Sequence, residues 1–297
     1  MAKVKKISIS YILLHICMLI LTLICLLPVI LVISISFTTE SGIVNNGYTF
    51  FPSEFGLEAY KYIATAKDTI IDAYKITIFT TIVGTIITTL TVSLYAYPLS
   101  RKDFKYRKFF TFYQFFTMLF SGGLVAWYMV CTTVLHLSNS VWALILPMAN
   151  NAWYIMIMRT FFSTSVPDAI IESGKLDGAS EYRILFQLVL PISLPGIATI
   201  ALFATLAYWN DWYHPLMFVT EPKLYTLQFL LQNMIAKIQQ LSENQTYIDN
   251  SGALLSNIPS EGARMALCMV ALGPILVVYP FFQKYFIQGL TVGSIKG

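Results

Sequence analysis

Apolar residues in this chain gather in long blocks, and polar residues collect in the stretches between them. Six blocks stand out: about Tyr11 to Ser36, Ala73 to Leu99, Phe109 to Val134, Val141 to Phe162, Leu190 to Val219 and Ala263 to Ile287. Each is long enough for a helix that crosses a bilayer, which takes roughly 20 residues. Several exceed that minimum, which permits tilt without fixing an angle. None shows the period-two alternation, broken by turns every ten or so residues, of a membrane barrel. The pattern predicts an all-α membrane protein with six transmembrane helices.

Composition agrees. The chain is 57% apolar and 11% charged, against about 25% charged in soluble domains. Its length would suit one large domain or two, but the clustering of apolar residues makes length a poor guide to domain count.

Lysines and arginines set the orientation. With a cytoplasmic N-terminus the inside set is Lys3, Lys5, Lys6, Arg101, Lys102, Lys105, Arg107, Lys108, Arg159, Lys175, Arg183, Lys284 and Lys296, which is 13 of 19. Lys61, Lys67, Lys75, Lys223, Lys237 and Arg264 fall outside. Both termini are therefore expected in the cytoplasm. The same placement turns the net charge of +4 away from nucleic acid, since no basic stripe with interleaved aromatics occurs in a soluble segment. The first block starts basic, but it is too long for the apolar region of a signal peptide and no A-x-A-like site follows it. It reads as a retained span.

Cys17, Cys25, Cys131 and Cys268 lie within apolar blocks without C-x-x-C spacing, as small buried hydrophobes do. The sequon at Asn244, Gln245 and Thr246 is short enough to arise by chance. No phosphate-loop motif occurs, because Gly174-Lys175 lacks the preceding glycine and is followed by Leu176. No H-E-x-x-H motif occurs either, and His15, His136 and His214 are scattered. The chain itself is expected to be no enzyme.

One polar run separates two blocks on the inside: SVPDAIIESGKLDGASEYRILFQLVLP, from Ser165 to Pro191. Ser165, Pro167 and Asp168 read as a helix start with a serine cap, a proline in the first turn and an acid three residues on. The helix passes through Ile170, Ile171 and Glu172 to about Leu176. Asp177-Gly178 breaks it, with Gly178 suited to the left-handed position after the helix. A second helix follows from about Ala179, with Tyr182, Leu185 and Val189 on one face. Two short helices around a glycine make a knob that a soluble partner can grip.

This run resembles the EAA loop of bacterial ABC importer permeases of the binding-protein-dependent, MetI-like family. Glu172 takes the glutamate place, Gly178 the glycine place, and Leu188-Val189-Leu190-Pro191 the ending. Ser173-Gly174 departs from the two alanines most often found there, and Gly174 should weaken the first helix by roughly 1 kcal/mol relative to alanine. Tyr208-Trp209-Asn210-Asp211-Trp212 resembles the W-N-x-[WF] signature of the carbohydrate-uptake branch. The tail from Tyr285 to Gly297 is similar to that of maltose-permease G-type subunits. Ser121-Gly122-Gly123-Leu124 and Trp142 to Pro147 resemble the variant found with complex-oligosaccharide importers.

The resemblance implies a MetI-like permease fold in the bacterial cytoplasmic membrane. Residues 1–70 would hold the tail, first span and an outside segment, and residues 71–297 the permease core. It implies that Glu172, Gly174, Leu176, Asp177, Gly178, Ala179 and Ser180 dock an ATPase. It also implies two ATPase subunits that bind ATP and Mg, a second homologous permease subunit and an external solute-binding protein. No cofactor is expected on this chain. Alternating access would then carry a sugar or oligosaccharide inward.

The residues say less about the solute. Trp127, Asn150, Asn151, Trp153, Trp209, Asn210, Asp211 and Trp212 combine aromatic faces, amides and a carboxylate, which suit a sugar. The same aromatics also fit an interfacial belt. Trp209 lies 18 residues beyond Pro191, roughly 27 Å along an unbroken helix, near the outer interface. A permease for an amino acid, peptide or phosphate stays open. An ion-coupled transporter would need ionisable groups in mid-span, and the blocks hold almost none. The segments from about Phe37 to Asp72 and Thr220 to Gly262 carry nine acids against four bases. They read as outside connectors, the second reaching toward a binding protein around Ser242–Ser256.

Overall fold

The computed structural model describes residues 9–245 and 261–274, with side chains over 10–240 and 261–274. The basic tail, most of the Ser242–Ser256 stretch, the second half of the sixth apolar block and the segment from Tyr285 lie outside the described residues. Among the described residues the structure is helical, with one isolated antiparallel bridge between Thr38 and Phe55. They pack as two compact units, one within Met1–Lys67 and Asn233–Pro274, the other within Asp68–Gln232.

The first unit opens with α1 (Ile9–Ser36). Its most apolar window has none of its residues buried, so this helix is apolar on every side. Only a nonaqueous surrounding or a partner can cover such a surface. Thr38 then turns the chain, and Thr39 caps α2 (Glu40–Asn46) by accepting the Gly42 N–H at 3.1 Å. α3 (Glu58–Thr65) follows. A helix over 261–274 packs against it, so close that a Cβ on Gly262 would lie 3.4 Å from that of Ala59. The segment after the first span, expected outside, is thus partly helical. Its charges are used locally: the Glu261 carboxylate accepts from Tyr48 at 2.8 Å and pairs with Arg264 at 2.6 Å.

The second unit is built on α4 (Lys67–Ser100), 34 residues and so about 51 Å long, more than a bilayer core requires. α1 and α4 are long and apolar enough to cross a membrane unbroken, and three bent helix pairs would raise the spans to five among the described residues. The third apolar block divides into α5 (Arg107–Leu119) and α6 (Leu124–Met129). A π-helical turn, Val130–Val134, extends α6, and the two halves meet at 113°. The bend falls at Ser121-Gly122-Gly123, where Gly123 has φ +86°, a conformation glycine reaches without a Cβ clash. The fourth block divides into a 3₁₀ turn with α7 (Leu146–Ala149) and then α8 (Ala152–Ser165), bent by 48°. Asn150 and Asn151 are extended there, and the Asn151 side chain caps α8 by accepting from Trp153 N and Tyr154 N at 2.9 and 3.3 Å.

After α9 (Asp168–Leu176) come α10 (Glu181–Ile184), a π turn at Leu185–Val189, α11 (Leu190–Ile192) and α12 (Leu194–Trp209). The helices on either side of Ser193 bend by 83°, because Pro191 and Pro195 each lack a ladder N–H. An unbroken 27 Å rise from Pro191 to Trp209 is therefore incorrect. α13 (Tyr213–Phe218) and α14 (Leu227–Gln245) complete the described chain before 261. α14 replaces part of the expected polar connector. Leu227, Leu230, Leu231 and Ile238 share its buried stripe at helical spacing.

Candidate coupling loop and transport pathway

The run from Ser165 to Pro191 folds as two short helices about a glycine. One detail of the expected start is corrected: Ser165 is the last residue of α8, and Pro167 precedes α9 without a side-chain cap. Proline suits that place because its missing N–H would have no helical partner. The end of α9 is a Schellman turn. Ala179 N donates to Gly174 O and Gly178 N to Lys175 O, both at 3.0 Å, with Gly178 at φ +75°. Ser180 then caps α10, accepting from Arg183 N at 3.4 Å.

Gly174 has a packing reason that outweighs its low helix propensity. It is buried, and a Cβ there would lie 3.1 Å from Leu188 Cδ1 and 3.3 Å from Ile184 Cγ1. The two helices close tightly at this point. Ile171, Ile184, Leu185 and Val189 fill a core with Val92, Ala96 and Leu99 of α4 and Ile155, Met158 and Phe162 of α8. The opposite side is open: Leu176 is 89% and Tyr182 75% exposed, and Phe186 is half exposed. Among the described residues nothing lies within 4 Å of a Cβ built on Gly178. Glu172 is exposed and forms no ion pair among the described residues.

Charged side chains fix the knob to the α4–α5 connection. Lys175 Nζ lies 2.7 Å from Asp103 and 2.8 Å from Glu181. Tyr97 donates to the other Glu181 oxygen at 2.7 Å. Asp168, at the start of α9, pairs with Arg101 at 3.3 Å and Lys102 at 3.0 Å. The Lys175 ammonium beside Asp103 holds that carboxyl below its usual range, and its two carboxylate partners hold Lys175 above the ordinary lysine value. Below this brace, Arg107 of α5 and Arg159 of α8 each donate an Nε–H to Leu99 O at 3.1 Å. That carbonyl belongs to the last turn of α4, where helical partners run out.

The eight candidate pathway residues do not form one cluster. Asn150 and Asn151 line a cavity of about 210 Å³ with Tyr154, Tyr208 and His214. Trp127 packs instead among Tyr213, His214 and Phe218, its ring centroid 5.0 Å from that of Phe218. Trp153 is half exposed beside Tyr154 and Phe203. Trp209 is buried near Tyr74, and Trp212 is exposed. Asn210 Nδ2 donates to Leu206 O at 2.9 Å. Asp211 is buried and serves α13, accepting from Tyr213 N and His214 N at 3.2 Å and lying 2.9 Å from His214 Nδ1. Of the eight candidates only Asn150 and Asn151 are thus brought to this cavity, where Thr88, Tyr154, Tyr208 and His214 join them.

A family model described as binding-protein-dependent transport system inner membrane component matches residues 90–292. The chain belongs to this family. It is 38% identical over 280 residues to the polygalacturonan/rhamnogalacturonan transport system permease protein YtcP of Bacillus subtilis (strain 168), covering 94% of this chain and 96% of that protein. It is 36% identical to protein LplC of the same organism, over 92% of this chain and 90% of that one. Among solved structures it is similar to a bacterial ABC transporter involved in the import of the acidic polysaccharide alginate. That match has a TM-score of 0.79 and 26% identity, and covers 96% of this chain and 99% of the other.

As an inner membrane transport component the chain is a multi-pass membrane protein of a transport family, not of an enzyme family. Such a component works with a partner permease, an ATPase and a solute-binding protein. Two parts of its architecture escaped the sequence reading. The brace of Tyr97, Asp103, Lys175 and Glu181 joins residues up to 84 apart. Only the opposite signs in the α4–α5 connection and the knob hint at it. His214 carries no local motif, and its link to Asp211 at i,i+3 is the one signal that could have found it.

Proposed function

We propose that this chain is the permease subunit of an ABC importer that carries a sugar or oligosaccharide into the cell. The observation that carries the reading is its 38% identity, across nearly its full length, to a permease named for polygalacturonan and rhamnogalacturonan transport. The alginate transporter adds support from its fold. In this reading the chain spans the membrane six times with both termini inside, and residues 71–297 form the permease core after the first span.

The exposed knob of Glu172, Leu176, Asp177, Gly178, Ala179 and Ser180, with Gly174 holding its helices together, inserts into a groove on the ATPase. Apolar Leu176 supplies buried contact, and Glu172 meets a basic or hydrogen-bonding group. ATP and Mg bind on the two ATPase subunits, not here. The broken helices suit a pathway, since irregular backbone is tolerated at membrane depth where it lines protein or a water-filled cavity. Asn150, Asn151 and His214 offer hydrogen bonds to hydroxyls, while Trp153 and Trp212 offer faces. Uptake of labelled neutral and uronate-bearing oligosaccharides by cells with and without the gene tests the reading. No loss of uptake of any oligosaccharide, with loss for an amino acid, peptide or phosphate, would overturn it.

A further inference from the structure

Lys102, Lys105, Arg107, Lys108 and Arg159 line one side of a groove of about 820 Å³ between the start of α5 and the end of α8. Phe112, Phe115 and Met156 form its apolar side with the Thr111 hydroxyl beside them, and among the described residues no carboxylate or amide side chain lines it. Lys102 pairs with Asp168. Lys105, Arg107, Lys108 and Arg159 form no ion pair among the described residues. Both arginines use Nε for the Leu99 carbonyl, so their terminal nitrogens are not taken up by that bond. α5 also begins without an acid in its first turn and without a side-chain cap, so its positive end adds to the field.

We infer that this groove binds an anionic phospholipid of the cytoplasmic leaflet, its phosphate among the basic side chains and an acyl chain along α5. Three observations favour a lipid over a soluble anion. The groove joins cations at one end to hydrocarbon at the other, as an amphiphile does. The apolar side continues onto exposed membrane-facing residues of the same helix, with Phe112 65%, Phe116 44% and Leu119 64% exposed. An acidic sugar would need several acceptors and amides for its hydroxyls, and among the described residues the lining offers only the Thr111 hydroxyl. The excess of lysine and arginine at this end also places it on the leaflet where anionic headgroups lie. The site is independent of which solute the importer carries.

The importer, purified through a tag on this chain with its partner chains, is examined by native mass spectrometry with phosphatidylglycerol and with phosphatidylcholine of the same acyl chains. Phosphatidylglycerol should be retained preferentially. Lys105→Gln with Lys108→Gln should weaken its retention by about fivefold per charge, roughly 25-fold for both. Phosphatidylcholine should be unaffected, and Lys105→Arg with Lys108→Arg should restore the preference. Equal retention of the two lipids, or a double glutamine variant within about twofold of wild type, overturns the proposal. So does displacement of phosphatidylglycerol by inorganic phosphate or a soluble oligogalacturonide, and so does a photocrosslinker at position 112 that captures a partner chain instead of lipid.

Discussion

Gly84 of α4 lies directly beneath the ring of Tyr208 on α12: a Cβ at position 84 would stand 2.5 Å from Tyr208 Cζ. The Tyr208 hydroxyl reaches past the glycine to donate to Ile145 O at 2.9 Å and lies 3.0 Å from the Thr88 hydroxyl. Small residues let membrane helices approach this way, and polar contacts then join them. Gly84→Val should displace the ring, break both contacts and lower the melting temperature in detergent. Tyr208→Phe keeps the ring but leaves Ile145 O and Thr88 without it, and should cost about 1–3 kcal/mol. A Gly84→Val chain that melts like wild type would refute the close approach.

At Gly178 two substitutions separate shape from backbone. Alanine there pays only for the left-handed conformation, roughly 1–2 kcal/mol, and meets nothing within 4 Å among the described residues. Tryptophan pays the same and fills the space a partner needs. Gly178→Ala should retain most ATPase co-purification and uptake, whereas Gly178→Trp should lose both with the spans still folded. Similar uptake from the two variants would contradict docking at this turn.

The Lys175 brace should respond to pH at both extremes and be flat between them. Asp103 is held low, so its contribution is present above the ordinary aspartate value and lost as pH falls through the lower, folded one. Lys175 is held high, so its contribution is present below the ordinary lysine value and lost as pH rises through the higher one. The melting-temperature difference between wild type and Lys175→Met should therefore be constant from about pH 5 to pH 9 and shrink toward about pH 3. Exposed pairs contribute little to stability, so the same variant should lose coupling more than it loses fold. A difference that peaks at acid pH would reverse the assignment.

Asn151 already spends its side-chain oxygen on the α8 cap. Asn151→Ala should cost about 1 kcal/mol of stability. Asn151→Ser keeps a capping oxygen and removes the Nδ2 amide without adding charge, so reduced oligosaccharide uptake with normal melting would assign that amide to solute. Unchanged uptake would leave the residue a purely structural one.

Asn139 has φ +52° and ties the turn before Val141 to the chain after α13. Its Oδ1 accepts from Thr220 N at 2.7 Å and Glu221 N at 3.3 Å, and its Nδ2 donates to Thr220 Oγ1 at 2.9 Å. Asn139→Gly tolerates the dihedral but loses those bonds, while Asn139→Ala loses both. Alanine should melt lower than glycine, and glycine lower than wild type. Equal melting of all three chains would show that the turn is held by other contacts.

Long apolar blocks made the helices legible, because hydrocarbon length and the absence of charge dictate a spanning segment. Their interruptions were written in the same residues, Gly122-Gly123, Asn150-Asn151 and the pair Pro191 and Pro195, but average apolarity hides a break that costs one turn. The glycine turn of the knob was legible because a left-handed residue after a helix has a local cause. Gly174 was misjudged for the opposite reason, since its merit lies in contact with Ile184 and Leu188. The brace and the Asn150–His214 cavity depend on how distant helices meet, which no local pattern encodes.

The meeting of Arg107 and Arg159 at the carbonyl of Leu99 has a genetic consequence. The acceptor is main chain, so replacing the Leu99 side chain leaves an oxygen in place for both guanidinium groups. This junction of three helices can be dismantled only from the donor side, in two separate steps, and a single lost arginine still leaves one strut standing. Inheritance can therefore drift freely at position 99 in its polar bonding, constrained only by the hydrophobic volume it fills, while positions 107 and 159 back each other up.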